Sequence, residues 1–85
     1  MQRLSIVREE LFEDSLATLI RDAETADEFT AAAEDLLSRE PKIGTPLPGG
    51  VWTLPMAPIG GKAVYLFYTF DESAVLFLAI AAFDE

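Results

Sequence analysis

Residues 63–83, AVYLFYTFDESAVLFLAIAAF, decide the architecture. Two apolar runs, Ala63 to Phe70 and Ala74 to Phe83, contain no charge and are joined by Asp71, Glu72 and Ser73. Valine, isoleucine, leucine and aromatic side chains suit a pleated, buried surface, so the stretch reads as a β-hairpin with an acidic turn. It also has roughly the length of a membrane helix. Asp71 and Glu72 fall in its middle, where a charge costs about 2.5–3.5 kcal/mol on insertion, so two strands are expected and not a span.

Both runs are apolar on both faces. In the first, Val64, Leu66, Tyr68 and Phe70 alternate with Tyr65 and Phe67. In the second, Leu76, Leu78 and Ile80 alternate with Val75 and Phe77. A sheet with one wet face shows a polar residue at every second position, and this one does not. Leu36, Leu37, Leu54, Leu66, Leu78 and Ile80 are the expected core. Tyr65, Phe67, Val75 and Phe77 are then left on the opposite face, where they are expected to meet a partner. Trp52 is expected in the core or at that interface.

Upstream, Val51 to Met56 reads as a short strand, with Pro55 expected to cost it pairing because proline has no amide donor. Ala57 to Lys62 reads as a turn-rich loop. Pro41 to Gly50, PKIGTPLPGG, reads as a loop of fixed shape. Before it lie two helical stripes. Leu11, Phe12, Leu16, Leu19, Ile20 and Ala23 form the first, after the acidic start Glu9, Glu10, Glu13 and Asp14. Ala26, Phe29, Ala33, Leu36 and Leu37 form the second, which Thr25-Ala26-Asp27-Glu28 opens as a capping box and Pro41 ends. The short break between the stripes predicts an antiparallel helical hairpin; one long helix kinked near Thr25 is the alternative. Arg3 to Arg8 reads as a weak strand, with a helix start as the alternative. The expected class is α+β, with an antiparallel sheet under two helices.

The 85 residues contain no cysteine and no histidine, and six basic residues stand against fifteen acidic ones. This leaves no disulfide, no thiolate nucleophile and neither of the commonest transition-metal ligands. A net charge of −9 on one small domain disfavours nucleic acid and anionic membranes and favours a basic partner. Glu9 and Glu10 interrupt any apolar signal core near the start, and the lack of cysteine fits the cytoplasmic home that is expected. No cofactor or metal is expected. The carboxylate pairs read as solvated helix faces. Gly60-Gly61-Lys62 lacks the spacing of a phosphate loop and reads as a turn. Lys62, Tyr65 and Tyr68 are the remaining candidates for proton transfer or phosphate contact.

The order of elements, with PKIGTPLPGGVWTLPM, VYLFY and VLFLAIAAF, resembles the RelE/ParE superfamily of bacterial toxins. Pro41 and Gly44 match the family's P-x-x-G loop. Val51 and Leu54 match its first strand after that loop, and Tyr65 and Tyr68 the aromatic ends of the next. The resemblance implies an N-terminal strand, a helical hairpin and a three-stranded antiparallel meander in a two-layer sandwich. It also implies an antitoxin partner, here with a basic binding segment. Ribonuclease members carry arginines where this chain has Trp52 and Leu66, and a basic or histidine segment where it ends Phe83-Asp84-Glu85. RNA cleavage needs a base, an acid and cations for the phosphate, so the departures point to a member that acts by binding. The other reading is an acidic adaptor domain that pairs with itself through its apolar sheet face.

Overall fold

The computed structural model describes residues 3–84. The chain runs β1 (Ser5–Arg8), α1 (Glu10–Leu19), α2 (Ala23–Arg39), a 3-10 turn (Pro41–Ile43), β2 (Thr45–Pro46), β3 (Trp52–Ile59), β4 (Lys62–Phe70) and β5 (Ala74–Phe83). The five strands form one sheet in the order β1-β5-β4-β3-β2. Helical hairpin and antiparallel meander stand as the sequence predicts. The first strand adds a feature: β1 pairs with β5 in parallel, making the sheet mixed.

Several boundaries move, each for a local reason. Helix α2 starts two residues before Thr25, because Asp22 takes the cap and accepts from the Thr25 amide (2.9 Å) and hydroxyl (2.6 Å). Those bonds stabilise the ionised Asp22 carboxylate and lower its pKa. Strand β3 runs on to Ile59, through the segment expected to be a loop. Its ladder with β4 continues past Pro55, which faces Tyr65, and shifts register once between Met56 and Ile59. Beyond Thr53, β3 pairs among the described residues with β4 alone, and an edge strand needs just one side of its backbone paired. Gly60 (φ 57°) and Gly61 (φ 79°) then close the hairpin with the two consecutive positive φ angles that a two-residue type I′ turn requires. At the other hairpin, Asp71 Oδ1 accepts from the amides of Ser73 (2.7 Å) and Ala74 (3.0 Å), which ties the turn from within.

The largest correction concerns β5. Tyr68 pairs with Phe77, but Phe67 pairs with Ala79, so Leu78 is an extra residue in the ladder. A bulge of this kind reverses which side chains face inward from that point on. Val75 and Phe77 therefore share the core face with Ile80, and both are fully buried. They do not lie beside Tyr65 and Phe67. Leu78 is half-buried and stays outside the core cluster.

The core joins Phe12 and Leu16 of α1, Ala26, Ala33 and Leu37 of α2, Val64, Leu66 and Tyr68 of β4, and Val75, Phe77 and Ile80 of β5. Phe12 meets Phe77 edge to face at 5.2 Å between ring centroids. Of the other expected core leucines, Leu37 and Leu66 are buried, Leu54 is half-buried against the cluster and Leu36 is half-buried. Leu11, placed on the α1 stripe by periodicity, is 66% exposed. Both helices lie on one side of the sheet.

Candidate functional site

The other side of the sheet is open. Alternation from the buried residues places Tyr65 and Phe67 of β4 there, across the ladder from Ala81 and Ala79. Val7 of β1 lies opposite Leu76 of β5 on the same side. Phe83 completes the surface, its ring 5.9 Å from that of Tyr65. Val7 is 43% exposed and Phe83 50%; Tyr65, Phe67 and Leu76 are half-buried among their neighbours. None of the strand positions on this side carries a charge.

Of the five side chains expected to meet a partner, two therefore share this surface. Val75 and Phe77 are in the core. Trp52 stands on the helix side, half-buried, with its ring 5.3 Å from Phe70 and 6.5 Å from Tyr68. Val7, Leu76 and Phe83 take the vacated places. Period-2 reading alone misses Val7 and Leu76, because Val7 joins only through the parallel pairing and Leu76 only through the bulge.

Lys62, Tyr65 and Tyr68 do not converge. Lys62 and Tyr68 lie near opposite ends of β4 on its helix-facing side, and Tyr65 points the other way. The Lys62 ammonium is exposed and 3.7 Å from Asp84 Oδ1. The Tyr68 hydroxyl donates to the Pro41 carbonyl (2.7 Å) and accepts from the Gly44 amide (3.2 Å). Burial raises the pKa of this phenol, with the Gly44 bond opposing weakly. A hydroxyl held at both ends by backbone is a clamp. It fixes the Pro41–Gly44 loop to the sheet, which gives the P-x-x-G spacing a mechanical reason in this chain.

Charge is distributed unevenly. Residues 9–40 hold eleven of the fifteen carboxylates and only Arg21 and Arg39 as cations, so the whole net charge of −9 sits in the helical layer. The four carboxylates and four cations elsewhere cancel. Arg8 braces this layer from the sheet. It donates to Glu34 (2.8 Å) and Thr30 (2.9 Å) on α2 and pairs with Glu13 on α1 and Asp27 on α2. Partial burial opposes its charge, but Glu34 and then Glu13 outweigh that and raise its pKa. We expect Arg8→Met to cost about 1–3 kcal/mol, chiefly from the less exposed Glu34 and Thr30 contacts. Urea titration at low and high salt checks this: half-molar salt should return part of the loss by screening the orphaned carboxylates. Between α2 and β3 runs an open groove of about 240 Å³, lined by Phe29, Ala32, Leu36, Leu54 and Met56. Glu28 and Asp35 adjoin these lining residues along α2.

No group of histidine, cysteine, aspartate or glutamate side chains among the described residues is arranged to hold a metal ion. No helix among them is long and apolar enough to cross a membrane. No protein-family model matches the sequence. No curated protein matches it either. Among solved structures, the chain is similar to one from the toxin–antitoxin complex RelBE2 of Mycobacterium tuberculosis. The match has a TM-score of 0.72 at 21% identity and covers 100% of this chain and 97% of that one. The fold is RelE-like.

Proposed function

We propose that this chain, as one domain over residues 1–85, is the toxin-like component of a bacterial, cytoplasmic toxin–antitoxin pair. It acts by binding protein and not by cutting messenger RNA. The observation that carries the reading is the end-to-end likeness to a chain of the RelBE2 complex. The geometry supports the binding half of the proposal. An endonuclease of this kind gathers cations about the scissile phosphate, with a base and an acid beside them. Here Lys62 and Tyr65 lie on opposite sides of the sheet, and the Tyr68 hydroxyl is taken up by the loop it clamps.

The partner's binding segment is proposed to be basic and amphipathic. The acidic helical layer attracts it, and the groove of Phe29, Leu36, Leu54 and Met56 takes its apolar side chains. The test expresses the chain in a bacterial host, alone and together with the product of the gene adjacent to it in its native genome. Growth arrest alone, relief by the adjacent product and a stable complex of the two are expected. Primer extension on ribosome-bound messenger should show no new cleavage. Cleavage lost in Lys62→Ala or Tyr65→Phe would establish the nuclease reading instead.

A further inference from the structure

We propose that the open sheet face is a self-association surface, on which two copies pack sheet to sheet with their helices outward. This stands apart from the toxin reading and does not need it. Val7, Tyr65, Phe67, Leu76, Ala81 and Phe83 form an uncharged apolar surface across β1, β5 and β4. Three of these side chains are aromatic, the type that anchors interfaces.

The distribution of charge selects the occupant. A basic peptide gains its attraction on the helical layer, where the net −9 resides, and not on a face with no charge to offer. A second copy is complementary in the opposite sense: its matching face is also apolar and uncharged. Any contact through the helices would set two strongly acidic layers against each other. Back-to-back packing puts those layers on the two outer sides of the pair. Each molecule is 21 Å across its shortest axis, so the layers stand apart by more than the Debye length of about 8 Å at physiological salt. The broad side of the molecule measures 35 × 28 Å, enough for the roughly 800 Å² per partner of a standard interface. Twisted sheets stack in this way about 10 Å apart, with their strands some 30° from parallel.

Sedimentation equilibrium of the purified chain at 1–100 µM (about the range where a modest interface dissociates) tests the proposal. The wild type should fit a monomer–dimer equilibrium that 0.5 M salt leaves unchanged or tightens (roughly the ionic strength at which surface charges are screened). Phe67→Asp should weaken it by two orders of magnitude or more (about the loss a buried hot spot gives), with an unchanged far-ultraviolet circular dichroism spectrum. Phe83→Asp, at the half-exposed margin, is the second variant and should weaken it at least tenfold (about the threshold for a contributing contact) whether or not Phe67→Asp folds. A monomeric wild type would overturn the proposal. So would a dimer that survives both substitutions, or one that Glu28→Lys disrupts while the sheet variants do not. Co-sedimentation of the wild type with neutral phosphatidylcholine vesicles, lost in Phe67→Asp, would assign the face to lipid and overturn it as well.

Discussion

Phe77→Ala should lower the free energy of unfolding by about 3–5 kcal/mol, while Leu78→Ala next to it should cost less than about 1 kcal/mol. Phe77 is fully buried, and its ring stacks edge-on against the buried Phe12. Removing it leaves a cavity between α1 and the centre of the sheet, which the ladder on both sides of β5 prevents from collapsing. Leu78 is the unmatched residue of the bulge and is not among the side chains of, or packed against, the helix-covered cluster. Guanidinium titrations of the two variants read this directly. Equal losses, or a greater loss at Leu78, would mean that strict alternation continues through β5 and that the bulge is absent.

Gly44→Ala should cost about 2–4 kcal/mol, more than Tyr68→Phe at about 1–2 kcal/mol. The reason at Gly44 is space and not backbone angle. Its φ is −76°, which any residue adopts. A methyl carbon there would meet the Tyr68 hydroxyl and would come to 2.5 Å from the Thr53 carbonyl oxygen. That oxygen belongs to the β3 backbone and cannot swing aside, so the loop must lift. Lifting it breaks both bonds to the Tyr68 hydroxyl and leaves a buried phenol unpaired. Tyr68→Phe removes the same two bonds but keeps the packing. Gly49→Ala serves as the contrast: its φ of 87° is unfavourable for alanine, yet the space around it is empty. It should cost only about 1 kcal/mol. Denaturant midpoints for the three variants establish the order, and a Gly44→Ala protein as stable as wild type would refute the close approach.

The sequence carries much of this fold, and what it hides has physical causes. Apolar periodicity places both helices and the strong hairpin, because each buries one stripe or one face. The face of β4 is read correctly, since no bulge interrupts Val64, Leu66 and Tyr68. In β5 every candidate residue is apolar, so nothing in the letters marks Leu78 as the unpaired one, and the inferred partner surface takes in two core residues. Thr25 and Asp22 both satisfy the rules for a helix cap, and only the turn after Leu19 decides between them. Arg8 looks like one cation in a weak strand. Its role as the brace of the helical layer depends on Asp27 and Glu34, distant in sequence, arriving around it together with the nearby Glu13. Pro41, Gly44 and Tyr68 stand out in the sequence, but the clamp that joins them exists only once the loop folds against β4.

The parallel pairing of Ser5 with Ala74 has a consequence for the order in which the protein is made. Translation delivers β1 before the other strands of the sheet and β5, its neighbour among the described strands, after them. Until β5 emerges, Ile6 and Val7 have no strand to lie against, and Arg8 lacks the Phe77 segment beside it. The helical hairpin and the β3–β4 hairpin are closed by short turns and can form during synthesis. The sheet cannot be completed until β5 has emerged. Closing that loop spans the longest sequence separation among the strand pairings, so we expect β1 to dock late in folding and to detach early in unfolding.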